Sequence, residues 1–327
     1  MKTIRITRQN FPNHGNHSWA NFFKFALSKK YNVIIDPINP DIVIHSNLHC
    51  DANRIDTYTK HLPTNFHASK NKDKKFIYVS GEVADFNMVR QHENQWAIGY
   101  QKIEHERYLR QPSGVIDVWT LFDEARLTDS PLNWLTQKRD FDLIYERNNR
   151  FCSITQASNN EYRGKIFDKL SEYKQVTSSG PWRQNIAKEE ELNKYQWMRE
   201  EYIGRNDGLT YREKIGFFNK YKFNMAIHYN NTDYILQEKI YHAYFAGAIP
   251  IFQGNKFILE EGFNPNSFIN LHDFENLDEF LDLVKRIDTD KNLHKKYIEE
   301  PIFLDNKLPE YYSFDYLLDF LVKVVES

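Results

Sequence analysis

Residues 221–250 read YKFNMAIHYNNTDYILQEKIYHAYFAGAIP, and this stretch decides the fold class. Residues 223–228 are short, apolar and bounded by polar chain, as a buried strand is. Residues 229–233, with two asparagines and an aspartate, predict a loop. A helix is predicted across 235–245, and a second buried strand at 248–252. Strand, loop, helix and strand with apolar runs too continuous for one-sided burial imply a parallel sheet covered on both faces.

The same alternation extends in both directions. Upstream, strands are expected at 3–6, 31–36, 41–46 and 76–80, with another at 115–119. Helical spacing between them puts Trp19, Phe22, Phe23, Ala26 and Leu27 on one face. Around 140–149 (DFDLIYERNN) the chain turns polar, and the pattern then restarts. A strand at 151–155 leads to a helix at 161–173, a short strand at 174–176 and the turn Thr177-Ser178-Ser179-Gly180-Pro181. Helices at 187–201 and 211–220 come before the opening stretch. A strand at 268–271 and helices at 277–286 and 314–325 follow it. The parse is two Rossmann-like α/β domains, 1–146 and 147–327, with a cleft between the carboxyl ends of their sheets, where open α/β sheets bind ligands. In this reading helix 314–325 packs back on the first domain.

Composition narrows the function. The chain has 327 residues, long for one core, and its 41% hydrophobic content is enough for two. A net charge of −2, from 43 basic and 45 acidic residues, lacks the basic excess of a nucleic-acid binder. Aromatics at 15% lean towards a ligand with sugar or base faces. Cys50 and Cys152 form no paired framework, which suits a reducing compartment. The first residues, MKTIRITRQNF, lack the apolar centre of a secretory signal. No apolar run approaches the roughly 20 residues of a membrane span. The expected location is therefore the cytoplasm, with peripheral contact at the inner face of a membrane.

Chemistry concentrates at Glu238-Lys239, in the first turns of the predicted helix. A helix start and a mobile ammonium suit a diphosphate, and an adjacent carboxylate accepts hydrogen bonds from ribose hydroxyls. The competing reading is a charged pair on a solvated helix face.

The opening stretch resembles the donor-binding motif of the family 10 α1,3/α1,4-fucosyltransferases. It shares Tyr221-Lys222-Phe223, Glu238-Lys239 and Ile249-Pro250, with that family's spacing from Tyr221 to Glu238. Phe263-Asn264-Pro265-Asn266-Ser267-Phe268 and Leu271-His272-Asp273-Phe274 are similar to further family stretches. So are 76–82 (FIYVSGE), 96–112 (WAIGYQKIEHERYLRQP) and 151–180, which has Arg163 at the family's arginine position. The chain departs from the pattern at Ile227-His228-Tyr229, where the family has Phe-Glu-Asn, at Ile235, where it has tyrosine, and at Gln237, where it has threonine. Asn230 and Tyr234 are the candidates for the displaced contacts.

What the resemblance implies is a GT-B-like fold and inverting, metal-independent transfer of fucose from GDP-β-L-fucose to a hydroxyl of an N-acetylglucosamine-containing glycan, such as a lipopolysaccharide side chain. No cofactor beyond the donor substrate is implied. Glu82, closing a strand, would be the base. Arg163 and Lys239 would meet the diphosphate, and Glu238 would hold the ribose. The first domain would bind acceptor, with His14, His17 and Trp19 as contacts, and the second would bind donor. Two alternatives are a same-fold transferase with another nucleotide-sugar donor and a non-catalytic sugar-binding protein. Asp288-Thr289-Asp290 has the form of a metal-binding D-x-D, but a helix N-cap explains it better. The histidine spacings match no zinc pattern.

Overall fold

A computed structural model describes residues 1–9, 19–46, 68–80, 84–122, 134–156, 160–186, 211–228 and 233–327. The chain divides into two compact units. The first comprises Met1–Leu132, Tyr234–Gln237 and Pro309–Ser327, and the second Asn133–Asp233 and Glu238–Leu308.

The first unit is built on a parallel sheet of β1 (Thr3–Gln9), β2 (Asn32–Ile35), β3 (Ile42–Ser46), β4 (Lys75–Val79), β5 (Gln95–Gly99) and β6 (Tyr108–Arg110), ordered β2-β1-β3-β4-β5-β6. Registers such as Ile44 opposite Ile77 and Ile98 opposite Leu109 align the apolar runs across the sheet. Val43, Ile44, Ile77 and Ile98 are fully buried, each contributing about 1.5–3 kcal/mol. Helix α1 (Trp19–Ser28) buries Phe22, Phe23, Ala26 and Leu27. Phe22 stacks on Trp119 of α2 (Ser113–Phe122) at 5.6 Å between ring centroids.

The strand expected at 115–119 is therefore part of a helix. Val115, Ile116, Val118 and Trp119 are all buried, as is Asp117 between them, so the run carries no amphipathic period, and a short, mostly apolar run does not separate helix from strand. The strands β5 and β6 lie in sequence that gave no strand expectation of its own.

In the second unit the parallel order is β11-β10-β9-β7-β8. The strands are β7 (Arg150–Ile154), β8 (Val176–Ser178), β9 (Tyr221–Ile227), β10 (Ile249–Gln253) and β11 (Ile269–Asn270). Residues 140–149 contain α3 (Phe141–Arg147), whose start is capped by the Asp140 carboxylate accepting from the Leu143 N–H at 3.1 Å. The other helices are α4 (Glu161–Ser171), α5 (Tyr211–Phe218), α6 (Lys239–Phe245), α7 (Leu277–Thr289) and α8 (Lys291–Glu299). Helix α9 (Phe314–Glu326) belongs to the first unit. There Phe314 packs edge-on against Trp119 at 5.7 Å and Phe320 against Trp96 at 5.6 Å. The helix expected at 187–201 lies outside the described residues.

The helix expected across 235–245 starts four residues later, at Lys239. Tyr234 takes a left-handed backbone (φ 65°), and the Leu236 carbonyl accepts from the Gly114 N–H at 2.9 Å, which is not a helical partner. These contacts keep 234–237 out of the helix, and Ile235 and Leu236 are buried as part of the first unit. Among the described residues no helix is long and apolar enough to cross a membrane.

Candidate active site

The parallel strands of the second unit bring their carboxyl ends to one edge of the sheet, and polar residues gather there. Thr155, just past β7, and Ser179, just past β8, are buried and share a hydroxyl–hydroxyl hydrogen bond of 2.5 Å. Gly180 follows, with its backbone against Gln156. A Cβ there would lie 2.2 Å from the Gln156 carbonyl oxygen, so the turn that ends β8 admits no side chain. Past β9 stands His228, and past β10 stand Gly254 and the buried Asn255.

Arg163 reaches this edge from the first turn of α4, where the Asn160 side chain caps the helix by accepting from the Arg163 N–H. Its guanidinium is 1% exposed and donates to the Ile227 carbonyl at 3.2 Å, at the very end of β9. Burial pulls its pKa down to about 10, so it remains a cation at neutral pH. A buried guanidinium at the end of a parallel strand is well suited to meet phosphate oxygens.

Glu238 is the N-cap of α6 and Lys239 its first residue. The Glu238 side chain makes no capping bond, and its carboxylate accepts from the Lys239 ammonium at 3.4 Å. Both side chains are largely buried, at 17% and 19% exposure. The solvated-face alternative for this pair therefore fails. Burial pushes the Glu238 carboxyl up, but Lys239, His242 and Lys214 outweigh it and hold the group well below the ordinary carboxylate range. The pair is thus a fixed anion beside a fixed cation.

His228 links these groups. It is 2% exposed, and a Cβ on Gly254 would sit 2.7 Å from its Nδ1, so the ring lies directly against the glycine backbone. Phe252 packs edge-on at 5.4 Å. Burial, with Lys239 and Arg163 adding to it against Glu238, lowers its pKa to about 3. At neutral pH the imidazole is uncharged. The Arg163 guanidinium bonds the carbonyl of Ile227, the residue just before this ring, and the Glu238–Lys239 pair opens the helix that follows.

Tyr234 lies in the first unit. Its ring carries the Lys102 ammonium at 4.6 Å and the Arg110 guanidinium at 5.7 Å from the centroid, and the Arg110 guanidinium also lies 4.8 Å from the Tyr311 ring centroid. Glu82, Asn230, His14 and His17 lie outside the described residues, as does the side chain of Trp19, which opens α1.

Other signals resolve as structure. Asp290 caps α8 by accepting from the Asn292 and Leu293 N–H groups at 2.8 and 3.1 Å. Asp288, 2% exposed at its side chain, accepts from the Lys222 ammonium at 2.8 Å and from Lys174 and the Tyr173 hydroxyl. Lys222 of the motif-like Tyr221-Lys222-Phe223 thus ties β9 to the end of α7. Among the described residues no group of three or more His, Cys, Asp or Glu is disposed to hold a metal ion. The sequence reading missed His228 and Gly254 as site features. The usable signal was a polar residue immediately after each predicted buried strand.

Comparison with known proteins gives the following likenesses. The family model for glycosyltransferase family 10 (fucosyltransferase), C-terminal part, matches residues 146–300. The chain is 26% identical over 331 residues to the alpha-(1,3)-fucosyltransferase FucT of Helicobacter pylori, covering 93% of this chain and 61% of that protein. A putative fucosyltransferase of Acanthamoeba polyphaga mimivirus is 26% identical over 157 residues, covering 48% of this chain and 24% of the relative. The chain thus spans about three fifths and one quarter of these relatives' lengths. The crystal structure of an alpha1,3-fucosyltransferase with GDP-fucose superposes over 100% of this chain and 92% of its own, with a TM-score of 0.67 and 22% identity. This likeness identifies the fold as that of the GT-B fucosyltransferases. Residues 146–300, which carry Arg163, His228, Glu238 and Lys239, are thus the part of the chain that is similar to the C-terminal part of glycosyltransferase family 10 (fucosyltransferase).

Proposed function

We propose that this chain transfers fucose from GDP-β-L-fucose to a hydroxyl of an N-acetylglucosamine-containing glycan, as an inverting α1,3-fucosyltransferase. The carrying observation is the convergence of Arg163, Glu238 and Lys239 at the carboxyl edge of a parallel sheet, inside the segment that matches the family model. In this reading Lys239 and Arg163 neutralise the departing diphosphate, without a metal ion, and Glu238 accepts from the ribose hydroxyls. Glu82 takes the proton from the acceptor hydroxyl. The acceptor oxygen attacks the anomeric carbon from the face opposite the diphosphate, the bond to phosphate oxygen breaks, and GDP leaves. The domain roles follow: 147–327 takes the donor, while 1–146 takes the acceptor, with His14, His17 and Trp19 as its contacts. Asn230 and Tyr234 complete the donor contacts. A lipopolysaccharide side chain presented at the inner membrane face fits such an acceptor, with the protein cytoplasmic and peripheral.

A second reading keeps the reaction and changes the donor sugar. It is favoured by Ile235 and Gln237, which stand where the family has tyrosine and threonine. Melting curves with GDP and UDP, followed by turnover of a nucleotide-sugar panel, decide between them. At 100 times its dissociation constant, GDP should add about 2.7 kcal/mol of stability. Absence of any GDP effect overturns the primary reading, and turnover of another nucleotide sugar in place of GDP-fucose establishes the second.

A further inference from the structure

His228 combines features that packing alone does not explain. It stands at the carboxyl end of β9, 2% exposed, with its backbone N–H donating to the Gln253 carbonyl at 2.8 Å. Neither ring nitrogen has a hydrogen-bond partner among the described residues. A neutral imidazole carries one N–H donor and one lone-pair acceptor, and burying either unpaired is costly. Buried polar groups left in this state call for an explanation, and a ligand is one of the few available.

His294 supplies a contrast within the same unit. It too is buried with both ring nitrogens unpartnered among the described residues. However, it lies inside α8 among Phe141, Tyr145 and Phe223, at ring-centroid distances of 5.6, 5.5 and 6.4 Å, in the apolar core. His228 instead lies at the sheet edge where α/β folds bind ligands, and Lys239, Glu238 and Arg163 all act on it electrostatically. Gly254 makes room for the ring: any larger residue would overlap it. The sequence has thus placed a bulky neutral donor–acceptor, matched with a side-chain-free neighbour, next to the strand end to which the Arg163 guanidinium donates.

We infer that His228 is a donor-positioning residue, whose imidazole N–H hydrogen-bonds a diphosphate oxygen of the bound nucleotide and so fixes the leaving group between Arg163 and Lys239. This rests on the nucleoside-diphosphate reading of the site, and it assigns a function to one of the positions where this chain departs from its family's pattern. A neutral donor here adds directional hydrogen bonding without adding a third cation to a buried site.

The test is calorimetric titration of GDP, UDP and guanosine into the wild-type chain and into His228→Phe, His228→Gln and His294→Leu. Loss of one hydrogen bond to a charged oxygen should weaken GDP binding by about 10- to 100-fold in His228→Phe. Guanosine affinity should stay unchanged, and His228→Gln, which retains an N–H donor, should recover most of the loss. His294→Leu should keep wild-type GDP affinity. Equal GDP affinity in wild type and His228→Phe overturns the inference, and equal loss of GDP and guanosine reassigns His228 to packing. If His228→Phe does not fold, the ring 15N resonances of His228 in the wild-type chain replace it. They must shift with GDP and stay in place with guanosine, and resonances that ignore GDP also overturn the inference. Wild-type protein that binds neither GDP nor UDP removes the nucleotide reading itself, and this inference with it. Nucleotide binding without a role for His228 removes this inference alone.

Discussion

Acidification from pH 7.5 to 5 should destabilise the second unit through two of its buried histidines, His228 and His294. Burial holds His228 at about 3 and His294 at about 4, against 6.5 for the unperturbed side chain. Both are therefore neutral in the folded chain throughout this interval, while the unfolded chain takes up protons below 6.5. The stability they confer is complete above 6.5 and declines as pH falls towards the folded-state values. Between pH 7.5 and 5 each histidine costs about 2 kcal/mol, and the two together about 4 kcal/mol. For a domain of roughly 170 residues the unfolding entropy is about 0.36 kcal/mol/K, so the melting temperature should drop by roughly 10 °C. Few carboxylates titrate in this interval, which isolates the histidine contribution. Differential scanning calorimetry on wild type and His294→Leu reads the effect, and the variant should lose about half of the pH slope. A melting temperature flat between pH 7.5 and 5 would refute the placement of both rings as buried and neutral.

Two further outcomes follow from the same contacts. Asp288→Ala leaves the ammonium groups of Lys222 and Lys174 without their shared carboxylate, of which Lys222 is the less exposed. It should cost about 3–5 kcal/mol in urea unfolding while leaving GDP affinity unchanged; a loss under 1 kcal/mol would show the network to be dispensable. Glu82→Ala should bind GDP like wild type and transfer at least 100-fold more slowly, and retained transfer removes Glu82 as the base.

Much of the architecture was legible because parallel strands buried on both faces are written as continuous apolar runs. Phe76 to Val79 and Ile249 to Phe252 needed no partner information to be read as strands. Such patterning falls silent where burial surrounds a helix. Val115 to Trp119 is buried on every side, Asp117 included, so its helical period shows no contrast between an apolar and a solvated face. The start of α6 was also hidden, because Tyr234 adopts a backbone that no local composition encodes and the Leu236 carbonyl is held by Gly114, over a hundred residues away. At the candidate site, Glu238 and Lys239 drew notice as a charged pair at a predicted helix start, and Arg163 only through the resemblance to family 10. His228 was noticed only as a departure from a pattern. A histidine after a strand reads as a loop residue until its burial is known, and burial arises from Gly254 and Phe252 on a different strand.

Helix α9 has a consequence for how the chain is made. Its Phe314 and Phe320 complete the core that Phe22, Trp96 and Trp119 begin, so those earlier residues must wait for a helix synthesised after the whole second unit. While the ribosome is still delivering the second unit, the first has an open seam of aromatic surface where α9 will dock. The second unit, apart from four residues, is continuous from Asn133 to Leu308 and can close as it emerges. Maturation therefore runs against the order of synthesis, and that seam is the surface a chaperone would cover in the interval.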